Sequence, residues 1–123
     1  MSLVARHLEA AGIPTIVIGS GRDIVEQCGV ARLLFVDYPL GNPCGKPGDV
    51  DDQRRIVGLA LDVLEGAFAA RTTVQAPAVW SDDNGWRDDY MAVTAENAAE
   101  LLAAGAARRR DQAAAKLARA RGG

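Results

Sequence analysis

Two short apolar runs constrain this chain more than any other feature. Thr15-Ile16-Val17-Ile18 is β-branched at every position, and Ala31-Arg32-Leu33-Leu34-Phe35-Val36-Asp37 is almost as apolar. Neither run alternates with polar residues, which is the pattern of strands covered on both faces of a parallel sheet. Between them, Gly19-Ser20-Gly21 makes a turn and Arg22 to Cys28 makes a short helix stopped by Gly29. Strand, helix and strand at this spacing predict a βαβ unit.

The flanking sequence extends this unit. Leu3, Val4, His7, Leu8 and Ala11 recur at spacings of three and four, so a helix is expected before the first strand, ended by Gly12. After the second strand, Pro39 to Gly48 carries three prolines and three glycines and cannot be helical. Asp49 is the expected N-cap of the next helix. Asp51 and Asp52 lie in its first turn, and Ile56, Ala60, Val63, Leu64 and Ala67 form its apolar stripe to about Ala69. Thr72 to Gln75 fits a third strand, and Trp80-Ser81-Asp82-Asp83-Asn84-Gly85-Trp86 fits a polar loop whose tryptophans fold back onto the body. Thr94 is the expected N-cap of an Ala-rich helix to about Ala120, roughly 40 Å long at 1.5 Å per residue. A domain of this length has a radius of gyration of only about 14 Å. Either Gly105 breaks this helix or its end projects or frays. The expected architecture is thus a small three-layer, Rossmann-like α/β fold with a short parallel sheet. Residues 1–93 form the α/β domain, and residues 94–123 form a long Ala-rich helical extension of it.

Composition narrows the class of function. The chain has 123 residues, 49% of them hydrophobic, which suits one soluble domain. No run approaches the roughly 18–20 apolar residues that a membrane span needs, and the start lacks the order of a secretory signal, so a cytoplasmic protein without membrane contact is expected. One His and two Cys make neither a His-rich metal site nor a disulfide framework, and neither Cys belongs to a C-x-x-C pair; no metal and no cofactor are assigned. Asp82, Asp83, Asp88 and Asp89 lack regular ligand spacing and read as solvated acids. Residues 1–107 carry 8 basic and 15 acidic residues, a net −7, whereas residues 108–123 carry 6 basic residues and Asp111, a net +5. An acidic body repels phosphates and no aromatics interleave with the arginines, so nucleic acid is disfavoured as a partner. The helical extension points instead to a homo-oligomer or a partner subunit.

In parallel sheets, ligands bind beyond the carboxyl ends of the strands, which here lead into Gly19-Ser20-Gly21-Arg22 and into Pro39 to Asp49. The first loop lacks the third glycine of a dinucleotide fingerprint, since Ile24 stands there, and Asp23 would repel a pyrophosphate. A tight turn is its simpler reading, with Arg22 left to hold a substrate carboxylate. The second loop is more informative. Gly41, Gly45 and Gly48 allow close backbone approach, the prolines stiffen the loop, and Cys44 lies inside it with Lys46 two residues away and a helix N-terminus shortly after, a setting that favours a thiolate. The competing reading makes Cys44 a small filler in a loop shaped only by Gly and Pro. Cys28 fits the core, and His7 fits a packed or exposed helix position.

The stretch from Ala5 that ends in AGIPTIVI, then RDIVEQCGVARLLFVDYPLGNPCGKPGD and Gln53-Arg54-Arg55, resembles the second half of the substrate-specific component B of the glycine/sarcosine/betaine/D-proline reductases, the selenoprotein B family. The resemblance covers about residues 1–70, and its most specific part is FVDYPLGNPCGKPGD. It implies reductive chemistry in which a selenocysteine or cysteine attacks carbon and displaces an amine. The family's Sec-x-x-Cys type motif lies in another segment, and this chain has neither that motif nor a C-x-x-C substitute. The attacking group therefore carries over onto no residue here, and the resemblance implies either a free-standing half that completes a site with another chain or a descendant that retains the binding fold without the original reaction. Taken with the loop's own residues, the expectation is a reductase subunit or truncated homologue that meets a small amino-acid-like or betaine-like substrate through Gly41, Asn42, Gly45 and Lys46, with Cys44 as the one redox or nucleophilic candidate. The alternative is a non-catalytic binding or assembly protein acting through the loop and the C-terminal helix.

Overall fold

A computed structural model describes residues 1–89 and 92–121 of the chain. It is a mixed α/β protein in two compact units, Met1–Arg87 and Asp88–Gly123. The first unit runs α1 (Ser2–Ala10), β1 (Val17–Gly19), α2 (Arg22–Gln27), β2 (Arg32–Phe35), α3 (Val50–Gly66) and β3 (Thr72–Gln75). Helix α4 (Trp86–Asp89) follows, and α5 (Ala98–Arg121) belongs to the second unit. The strands form one parallel sheet in the order β1-β2-β3, with Val17 opposite Leu33 and Leu33 opposite Thr73.

Side chains alternate across a strand, so the sheet has two chemically separate faces. On one face Val17, Gly19 and Leu33 meet α2, and a Cβ at Gly19 would lie 3.5 Å from Val25 Cγ2. On the other face Leu34 and Val36 join Tyr38, Ile56 and Ala60 of α3, Ala76 and Ala78 in one buried cluster, with Ile16, Ile18 and Trp80 packed against it. The two helices therefore cover opposite faces. Both crossovers return the chain to the same end, so the loops after β1 and β2 open on one edge of the sheet.

Helix α3 starts where its cap chemistry dictates. Asp49 accepts a hydrogen bond from the Asp52 amide at 2.9 Å, satisfying a donor that the first turn leaves without an intrahelical partner. The helix ends at Gly66, before the expected Ala69, while β3 occupies Thr72–Gln75 as read from the sequence. β1 begins two residues later than its β-branched run. The Thr15 amide is taken by the Glu9 carboxylate and the Thr15 carbonyl by Arg32, so side chains hold this backbone. In the second unit, Thr94 Oγ1 accepts from the Asn97 amide while Asn97 Oδ1 accepts from the Thr94 amide, a reciprocal cap before α5. α5 passes through Gly105 without interruption. Among the described residues no helix is long and apolar enough to cross a membrane.

Candidate functional site

The chain leaves β2 through Val36, Asp37 and Tyr38 and wraps through Pro39–Gly48 before entering α3. This loop holds its shape through one buried carboxylate. Asp52, 7% exposed, accepts from Tyr38 Oη at 3.0 and 3.1 Å, from the Lys46 amide at 3.0 Å and from Arg55 at 2.6 Å. Burial pushes the Asp52 carboxyl up, but the hydrogen bonds from Arg55, Lys46 and Tyr38 together outweigh it and hold the group below the ordinary carboxylate range. Burial and the bond to this carboxylate raise the Tyr38 phenol, and the same carboxylate raises Arg55 further. Arg55 also donates to the Pro77 carbonyl at 3.2 Å, and Tyr38 meets Trp80 edge to face at 5.1 Å. One carboxylate thus joins the loop, α3 and the segment after β3.

Gly45 is the second fixed point. Its φ is +121°, and a Cβ there would lie 2.7–2.9 Å from atoms of Gln53, including its backbone N and Cα. Only glycine lets the loop lie so closely on the first turn of α3. Gln53 completes the clamp by donating from Nε2 to the Lys46 carbonyl at 2.9 Å.

The pinned loop encloses an open depression of about 530 Å³, lined by Gly41, Asn42, Cys44, Gly45 and Gln53 with two prolines and Val57. Four of the residues expected at the site, Gly41, Asn42, Cys44 and Gly45, thus come together. Lys46 is anchored beside them through its own backbone. Arg22 stands on α2 after β1, where it pairs with Glu26 at 3.0 Å, and Glu26 in turn accepts from Thr73 Oγ1 at 2.8 Å. Cys44 is an exposed free thiol, whereas Cys28 is half-buried at the C-terminal end of α2. His7 is exposed in the last turn of α1. Among the described residues, no group of three or more His, Cys, Asp or Glu is placed to hold a metal ion.

A second cluster lies at the carboxyl ends of β2 and β3, around a cavity of about 280 Å³. Asp37 pairs with Arg87, whose guanidinium sits 4.6 Å over the Trp86 ring, and Trp80 and Gln75 form further walls. The sequence marks this stretch as a polar loop with two tryptophans. It does not mark the pairing of Asp37 with Arg87 across 50 positions. The Tyr38–Asp52–Arg55 network was also not legible as a unit, although an acid in the first turn of a helix with Arg three residues later is the local part of its signal. No protein-family model, curated protein or solved structure matches the chain.

Proposed function

We propose that this chain is a subunit of an oxidoreductase related to component B of the glycine/betaine/D-proline reductases, built on a Rossmann-like α/β unit and acting in the cytoplasm. The observation that carries this reading is the pinned loop after β2. It sets an exposed thiol at the rim of a depression on the carboxyl edge of a parallel sheet, where α/β proteins hold small molecules. Gly41, Asn42 and Gly45 face the substrate, Lys46 or Arg22 supplies positive charge for a carboxylate, and Cys44 is the thiol that meets the reacting carbon. The chain has no second Cys close in sequence to Cys44, so electrons must come from a partner chain that carries the dithiol or selenol–thiol pair. This makes the subunit part of a hetero-oligomer or of a homo-oligomer with an external donor.

The test compares alkylation of Cys44 with that of Cys28 by mass spectrometry, using iodoacetate and iodoacetamide, on the protein alone and with any copurifying chain. Cys44 is expected to react at least about tenfold faster and to favour the carboxylate reagent relative to Cys28. An inert Cys44 in both samples overturns the thiol mechanism. One observation favours a second reading, an assembly protein without chemistry of its own. Val50, Val57 and Leu61 lie in one exposed stripe along α3, at 52%, 44% and 54% exposure. On that reading Cys44→Ser leaves function intact, whereas Leu61→Asp abolishes it.

A further inference from the structure

Cys44 lines two cavities. Besides the loop depression, it lines a groove of about 330 Å³ between α1 and the edge strand β1, walled also by Met1, Val4, Leu8, Ile16 and Ile18. The two spaces differ in chemistry. The depression is walled by the Asn42 and Gln53 amides and by glycine backbone, with no acid among its walls, and the Asp52 carboxylate nearby is occupied by its own partners. The groove is almost wholly aliphatic, and Val4 remains 60% exposed along it.

We infer that the two cavities form one site for an aliphatic carboxylate. Its polar head lies in the loop depression, its hydrocarbon tail lies between α1 and β1, and Cys44 stands at the junction. This rests on the reading of Cys44 as a substrate-facing thiol and deepens it by naming a substrate class larger than a glycine-sized acid. Size argues for a tail over a protein segment. The groove is at the lower end of the roughly 300–1,000 Å³ typical of small-molecule sites. A docked helix would need apolar anchors repeated over two turns or more. Charge argues for the head: the Asn42 side-chain amide and the second N–H of Gln53 Nε2 are of the kind that donates to a carboxylate, and no acid in the wall repels it.

The experiment is calorimetric titration of the full chain with acetate, butanoate, hexanoate and octanoate. Each methylene buried in the groove tightens binding roughly fourfold, so octanoate is expected to bind at least about tenfold tighter than butanoate. Val4→Asp, at a wall position 60% exposed, is expected to erase this gain, whereas Leu61→Asp on α3 keeps it. A readout without a variant accompanies it: octanoate slows iodoacetamide alkylation of Cys44, and butanoate at the same concentration does not. Affinity that ignores chain length, or a gain that survives Val4→Asp, overturns the inference. If Cys44 reacts as proposed but octanoate neither binds nor protects it, the tail site fails and the thiol reading stands. If octanoate binds Cys44→Ser with its length dependence intact while Cys44 is inert in the parent, the thiol reading fails and the tail site stands.

Discussion

Asp52 shows how much a single side chain organises. Its carboxylate is shared among a phenol, a peptide N–H and a guanidinium, so removing its charge loosens the loop, α3 and the segment after β3 together. Asp52→Asn keeps the shape and one acceptor oxygen but loses the charge-assisted bonds. Arg55 is about half exposed, at 48%, so its share is discounted for solvent, and the expected cost is about 1–3 kcal/mol at pH 7 by urea denaturation. The pH dependence has a definite sign. The folded carboxyl lies below its unfolded value of about 3.9, so between the two values the unfolded chain binds more protons and stability rises with pH. The contribution is complete above the unfolded value and is lost as pH falls through the folded one. The stability gap between parent and Asp52→Asn is therefore expected to be constant from pH 6 to 8 and to close in acid; a gap unchanged at pH 3 would remove Asp52 from this role. Sequence reading located the loop, its glycines, its thiol and the Asp49 cap, because those signals are local. Tyr38 carried no such signal. Its role depends on a partner 14 positions away that only the folded chain brings within reach.

Helix α1 and strand β1 show where local pattern misleads. The β-branched run from Thr15 reads as strand throughout, yet the ladder starts at Val17 because Glu9 of α1 takes the Thr15 amide and hydroxyl and pairs with Arg32 of β2 at 2.8 Å. Propensity describes what a residue can do, whereas the hydrogen-bond partners within reach decide what it does. The Thr15 amide, ahead of the Arg32 pair, holds the Glu9 carboxyl below its ordinary range. One glutamate thus pins α1 to the segment before β1 and to β2. Glu9→Ala leaves the Thr15 amide without its acceptor and leaves Arg32, whose Nε already lacks a partner, with only the Thr15 carbonyl. The expected cost is about 1–3 kcal/mol. Hydrogen exchange reads its distribution: α1 amides lose protection more than those in the middle of α3. Equal loss in both helices would mean that Glu9 acts on the whole unit and not on this attachment.

The molecule as a whole concentrates its stability in a small volume. The side chains most completely removed from water are Leu33, Leu34, Val36 and Ile56, all on β2, just after it, or on α3, while several large apolar residues of α1 and α3 stay exposed. That distribution follows from a three-stranded sheet, since three strands cannot cover every helix face that packs on them. The βαβ arrangement was legible because continuous apolar runs and glycine turns are strong signals. The apolar stripe read for α3 was legible too, since Ile56 and Ala60 are buried and Val63, Leu64 and Ala67 are half-buried, whereas Val50, Val57 and Leu61, which lie outside that stripe, are the large apolar residues of α3 left exposed. A core this small has little margin. Leu34 is fully buried at the centre of β2, between β1 and β3, and Leu34→Ala removes its contacts with Ile56 and Val36 in a cluster with few other large members. The expected loss is about 2–5 kcal/mol, against the roughly 5–15 kcal/mol that holds an ordinary domain together. Urea midpoints and near-ultraviolet circular dichroism at 37 °C measure it. The variant should lose much of its fixed aromatic environment, because Tyr38 and Trp80 pack in the same cluster. Leu61→Ala, at a position 54% exposed, should change stability by less than about 0.5 kcal/mol. Similar losses at both positions would mean that the outer stripe of α3 is covered in solution, placing a second copy or a partner subunit on that face.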